Sequence, residues 1–122
     1  MTGAGLARAI AAGRVGFGIA LLAAPERFAG PWLGRDARRA GTVVAVRGLG
    51  ARDLALGAGA LAAPPEALRS WAAAGVIGDL TDLLATVTAG DGVPASGRVL
   101  VGGLATGAVA LGAVALAGLG RS

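Results

Sequence analysis

"VVAVRGLGARDLALGAGAL", residues 43–61, reads as a helix built to cross a membrane, yet Arg47, Arg52 and Asp53 fall in its middle. Whether those charges can be tolerated decides the fold. A central Arg or Asp costs about 2.5–3.5 kcal/mol on insertion scales, so three cost about 8–10 kcal/mol. The Val and Leu residues of the stretch return only about 0.3–0.6 kcal/mol each, which does not cover the cost. Alone, this segment should insert poorly. It becomes tolerable if its charges meet opposite charges inside a bundle.

The rest of the chain offers such neighbours. A first apolar stretch, "GLARAIAAGRVGFGIALLAA" at 5–24, ends at Pro25. A polar connection follows at 25–40, "PERFAGPWLGRDARRA", and reads as an interfacial loop. The second stretch covers 41–63 and ends at Pro64-Pro65; the third, "LRSWAAAGVIGDLTDLLATVTA", covers 68–89. A turn-rich link, "GDGVPASG" at 90–97, leads to the fourth, 98–120. Each stretch has about the 20 residues needed to cross roughly 30 Å of hydrocarbon. Helix follows rather than strand, because in lipid a span must satisfy its own backbone. The expected architecture is all-α: one transmembrane domain over residues 1–122, an integral membrane four-helix bundle, multi-pass in the cell membrane.

Two alternatives compete. A soluble Ala-rich bundle would need a polar face on each helix, and residues 99–120 carry only Thr106 as a polar side chain. Arg8 and Arg14 before "VGFGIALLAA" also resemble the start of a secretory signal, whose cleavage would leave three spans.

Composition agrees with the membrane reading. Of 122 residues, 55% are hydrophobic and 15% charged, and the mean hydropathy is +0.72. All 11 basic residues are Arg. With the Ala and Gly excess this looks like the coding bias of a GC-rich genome, so Arg content alone signals nothing. The formal charge of +4 does not form a basic face with aromatic platforms, which argues against nucleic acid. Cysteine and histidine are absent, so disulfides, thiolate chemistry and imidazole ligands or bases are excluded; a metal site would need carboxylates alone, and none is expected. The reading calls for no cofactor. Orientation is weakly set. Arg8, Arg69 and Arg121 share one side, whereas Arg27, Arg35, Arg38, Arg39 and Arg98 share the other, which the positive-inside rule assigns to the cytoplasm.

Placed by depth, the interior charges fall into two equal sets, Arg14, Arg47 and Arg52 against Asp53, Asp79 and Asp82, summing to zero. Asp79 and Asp82 are three residues apart and share a helix face, about 60° from each other. Arg47, Arg52 and Asp53 spread around their helix, which is therefore expected to be central. A purely structural reading makes the set an ion-paired core that fixes register and holds no ligand. The functional reading makes these six residues a binding site at mid-membrane depth.

Weaker features surround this set. Gly103 and Gly107 form a small-xxx-small pair suited to packing, within the bundle or in a dimer. Trp32 and Trp71 near span ends suit interfacial anchoring. "GLGARD" and "GRVGFG" lack the flanking elements of a phosphate loop.

Taken together, "GRVGFGIALLAAPERFAGPWLG", "VRGLGARDLALGAGAL" and "RSWAAAGVIGDLTDLLAT" resemble a family of small actinobacterial four-helix membrane proteins of unknown function, over about residues 13–88. The resemblance is sharpest at Arg52-Asp53 and at Asp79 and Asp82. It implies the fold and no activity. In layout alone the chain is also similar to DoxX-like membrane proteins.

Two function classes follow. The first is a non-catalytic accessory, partner-binding or small-ligand-binding module of the bilayer, with a second copy or another membrane protein as partner. The second is a membrane-embedded isomerase, cyclase or epoxide-opening hydrolase acting on a lipophilic substrate. There Asp79 and Asp82 would divide acid and base roles, and Arg52 would orient one carboxylate or hold a developing anion. A proton-coupled carrier, as a dimer, is a third option. A polar cavity reaching Asp79 and Asp82 would favour enzyme or carrier. A dry, fully paired cluster would favour the non-catalytic module.

Overall fold

The structure, a computed structural model, describes residues 2–120. These are all-helical: α1 (Gly3–Ala23), α2 (Pro25–Leu33), α3 (Ala40–Ala62), α4 (Pro65–Ala89) and α5 (Ala95–Leu119), with short 3-10 turns at Gly34–Arg38 and Gly90–Gly92. The helix ends follow local chemistry. Thr2 Oγ1 accepts the Gly5 N–H at 2.9 Å and starts α1. Pro25 and Pro65 open α2 and α4, where the N–H they lack would have no helical partner. Gly34 (φ 65°) and Gly90 (φ 55°) close α2 and α4 in a backbone region that side chains disfavour.

The connection at 25–40 is not a loop. It holds α2 and a 3-10 turn. Pro25 and Ala29 are buried while Glu26, Arg27 and Phe28 are exposed, so this short helix lies along the end of the bundle with one apolar side inward. Its C-terminal end meets α5 closely: a Cβ at Gly97 would collide with the Trp32 carbonyl oxygen.

The long helices pack through small residues at alternating steps of four and three. On α3 the buried positions are Val46, Gly50, Asp53, Gly57 and Ala60. On α1 they are Ala7, Ala11, Gly18 and Leu21, with Arg14 filling the step between. This is the spacing that keeps one seam of a helix against its neighbour in coiled-coil packing. The backbones approach closely along it. A Cβ on Gly50 would lie 2.8 Å from the Gly18 carbonyl oxygen, and one on Gly57 would lie 2.5 Å from that of Ala11. The central element is α1, not α3. α3 lies chiefly against α1 and less against α4, whereas α1 also touches α4 and α5. The close α1–α3 seam takes up one side of α3 and leaves Arg47 facing outward.

Size is distributed inside out. The buried hydrophobic positions are mostly alanine, and Leu21 and Leu68 are the largest fully buried side chains. Phe17, Ile77, Leu84, Val99, Leu104 and Val114 are exposed, among others. Three helices are long and apolar enough to cross a membrane: α1, α4 and α5. The stretch at 41–63 was expected to join them. α3 has the length, with 23 residues, but Arg47, Arg52 and Asp53 fall within any 18 consecutive residues of it.

At the end where α1 begins and α3 ends, arginines cap helix termini. Arg8 Nη1 donates to the carbonyls of Ala60 and Leu61 at 3.1 and 3.0 Å, and Nη2 to that of Ala63 at 3.2 Å. Arg69 Nη1 donates to the Leu116 carbonyl at 3.0 Å. Arg8 thereby satisfies carbonyls at the end of α3 that Pro64 and Pro65 leave without an N–H donor, and Arg69 adds a second donor to the Leu116 carbonyl, which also accepts from Gly120 N–H at 3.0 Å. Arg121, the third charge assigned to that side, lies outside the described residues.

Candidate functional site

The middle of the bundle gathers Arg14 from α1, Arg52 and Asp53 from α3, and Asp79 and Asp82 from α4. Each position is inherited from the packing seam. Arg14 fills the step between Ala11 and Gly18 and so must project between helices. Gly75 on α4 makes room for it, since a Cβ there would lie 2.8 Å from Arg14 Nη2. The guanidinium then meets Asp79 on both sides: Nη1 donates to Oδ1 at 2.9 Å and Nη2 to Oδ2 at 2.6 Å. This is the bidentate fork that arginine makes best with a carboxylate.

A second fork joins α3 to α4. Arg52 Nη1 donates to Asp82 Oδ1 at 3.2 Å and Nη2 to Oδ2 at 2.8 Å. The same guanidinium reaches Asp53 more loosely, with Nε and Nη2 donating to Oδ1 at 3.4 and 3.2 Å. Asp79 and Asp82 therefore share a face, as expected, but serve different helices: Asp79 ties α4 to α1 and Asp82 ties α4 to α3.

Five of the six expected residues come together; Arg47 does not. Its Nε donates to the Leu22 carbonyl at 3.4 Å, its side chain is exposed, and no carboxylate lies within ion-pair distance of it among the described residues. The expected neutral sum is thereby corrected. Two guanidinium groups face three carboxylates, a formal −1. The surplus sits at Asp53, which is 4% exposed. Its Oδ1 takes both bonds from Arg52, and its Oδ2 accepts none from the described residues.

The cluster forms one wall of a cavity of about 370 Å³. Arg14, Asp53, Asp79 and Asp82 line the polar side. Ile10, Phe17, Leu49, Val101, Leu104 and Ala108 line the rest, with Trp32 reaching in from α2. The cavity thus has one charged end and an apolar body. Trp32 is turned inward: its Nε1 is buried and donates to no group among the described residues. Trp71 packs its ring against Gly59, where a Cβ would collide with it.

Sequence reasoning missed the cavity's apolar wall. Ile10, Leu49 and Val101 carry no mark in the sequence that sets them apart from the exposed apolar residues. Close backbone approach was expected at Gly48 and Gly50 and packing at Gly103 and Gly107; only Gly50 of these sits in the seam, together with the unremarked Gly57, and the other three have open space beside them. The four-three spacing of small residues on α3 was the available signal. No group of His, Cys, Asp and Glu among the described residues is arranged to hold a metal ion. Compared with protein-family models, curated proteins and solved structures, the chain matches none.

Proposed function

We propose that the chain is a multi-pass integral protein of the cell membrane, a four-helix bundle in which α1, α3, α4 and α5 cross the bilayer, and that it is a small-ligand-binding module. The observation that carries the binding reading is the 370 Å³ cavity joining the charged cluster to an apolar wall. Its size is at the small end for ligand pockets, which run from about 300 to 1,000 Å³. The ligand is a small amphipathic molecule whose head meets Asp53 and whose body lies against Phe17, Leu49 and Leu104. A cationic head is favoured, because the cluster carries one carboxylate more than its guanidinium groups can match.

The membrane half of the proposal is supported by the inside-out distribution of size. Without water, helices associate through close backbone contact, so alanine and glycine belong inside and large apolar residues face lipid. α3 joins the other three spans because Arg52 and Asp53 are paired within the bundle. The reading places the chain with the small four-helix membrane proteins its motifs resemble. Gly103 and Gly107, with open space beside them, leave α5 a face for a second copy or another membrane protein.

The enzymatic alternative draws on the same cavity but fits the carboxylates less well. Asp79 and Asp82 each have both oxygens engaged by a guanidinium. An acid–base pair must exchange protons with its substrate, and in both carboxylates the guanidinium contact occupies the oxygens that would do so.

The test uses the purified full chain. It is expected to leave the membrane only with detergent. Quenching of tryptophan emission then follows titration with a medium-chain primary amine, the matching alcohol and the matching carboxylic acid. Saturable binding in the order amine, alcohol, acid is expected. Ala105→Trp, which fills the cavity, should abolish it, and Asp53→Asn should remove the preference for the amine. No saturable binding of any of the three, or binding indifferent to Ala105→Trp, overturns the proposal.

A further inference from the structure

Arg47 is the charge of α3 that the mid-bundle cluster leaves over. It lies seven residues beyond Ala40, about 10 Å along the helix at 1.5 Å per residue. In a largely apolar helix a charge left out of the cluster calls for an anionic partner or for water. No carboxylate pairs with it among the described residues, and neither Arg27 nor Arg38 has one.

These three arginines share a second cavity. It is open, about 610 Å³ in volume, and lies where α1 ends and α2 begins. Arg27 and Glu26 come from the first turn of α2, Arg38 from the end of the 3-10 turn and Arg47 from α3, with Ala24, Pro25 and Val43 completing the lining. Arg27 lies 5.9 Å from the Phe28 ring centre, which steadies its stem beside the cavity. Against three guanidinium groups stands only Glu26, a formal surplus of +2. Glu26 makes no ion pair that would hold it over any of the three. The N-terminus of α2 opens on the same space and adds partial positive charge.

We propose that Arg27, Arg38 and Arg47 form a binding site for a phosphate group, separate from the mid-bundle cavity. Guanidinium groups suit phosphate because their paired N–H donors match two of its oxygens at once. Two sources present that chemistry, the headgroup of an anionic phospholipid and free inorganic phosphate. The position favours the lipid. The cavity lies at the Arg-rich end of the bundle, which the charge bias turns to the cytoplasm, where anionic lipids and basic pockets between helices meet. Arg47, rooted below Arg27 and Arg38, reaches up towards the headgroup layer. The lipid assignment rests on the membrane reading above; the phosphate chemistry does not.

The experiment has two arms on the detergent-purified full chain. In the first, native mass spectrometry counts lipids retained from an equal mixture of phosphatidylglycerol and phosphatidylcholine. One phosphatidylglycerol should be kept in preference, and Arg47→Gln should lower its retention at least fivefold. Arg47→Lys, which keeps the charge and loses the fork, should fall between. Arg27→Gln with Arg38→Gln, both at exposed positions, should give a loss like that of Arg47→Gln. In the second arm inorganic phosphate is titrated by calorimetry. Saturable phosphate binding that Arg47→Gln weakens, with no preference between the lipids, supports the anion site and assigns it to free phosphate. Equal retention of both lipids together with no saturable phosphate binding overturns the proposal. So does a lipid preference untouched by any of the arginine changes. A chain that leaves the membrane without detergent removes the membrane reading and the lipid arm, and the phosphate arm still decides the site.

Discussion

At the scale of single residues, the three aspartates are not equivalent. Asp79 is held by both oxygens to Arg14, whereas Asp53 shares Arg52 with a better-placed partner, Asp82. Removing the Asp79 charge strands Arg14 in low dielectric. Breaking a buried pair in this way costs about 3–5 kcal/mol in soluble proteins, and less in a bilayer, where the unfolded state also finds partners. Removing the Asp53 charge leaves both forks intact and brings the cluster to neutrality. We expect Asp53→Asn to change stability by about 1 kcal/mol or less, the scale of one neutral hydrogen bond. Arg14→Gln with Asp79→Asn should recover about 0.5–3 kcal/mol relative to the summed single changes, the range for groups in direct contact. Thermal unfolding in detergent across these variants decides it. An Asp53→Asn loss as large as that of Asp79→Asn would show the surplus charge to be misassigned. The membership of this set was legible in the sequence, because ionisable residues stand out in apolar stretches. The pairing was not, since it depends on which helices touch. Arg47 belonged to the set by composition and left it by geometry.

At the scale of helices, length and punctuation were enough for four of the five. The stretches at 5–24, 41–63, 68–89 and 98–120 lie within three residues of α1, α3, α4 and α5 at either end, because prolines and glycines mark the ends. α2 was missed: its nine residues include two prolines and two charges, and a segment so short has no period to read. The rank of the helices was also misread. Charges scattered around α3 suggested a central position, but what brings helices together here is small side chains. The α1–α3 seam makes that testable. Gly57→Leu must displace the α1 backbone at Ala11, and overpacking of this kind costs about 1–3 kcal/mol. Gly103→Leu meets open space and should stay within about 0.5 kcal/mol of the parent. The two variants compared by thermal unfolding in detergent, with the protein monomeric, give the answer. Equal losses would mean that the seam is not where the bundle is held.

At the scale of the whole molecule, each fork spans a long stretch of chain. Asp82 follows Arg52 by 30 residues, and Asp79 follows Arg14 by 65. A ribosome makes the chain in one direction, so the arginines of α1 and α3 emerge before the aspartates that neutralise them. If the chain crosses the bilayer as proposed, α3, which is too charged to enter hydrocarbon alone, must wait beside the translocation channel until α4 has been synthesised. Integration is then a late, joint event. In a chain translated into membrane vesicles and stopped after Ala63, α1 alone should hold the membrane and α3 should stay open to added protease, whereas in one stopped after Gly92 α3 should be protected. Protection of α3 in both would show that it enters unaided. On this account the order of synthesis, and not only the final contacts, limits where the charges can be placed: partners supplied from downstream oblige the membrane machinery to hold a half-built bundle open.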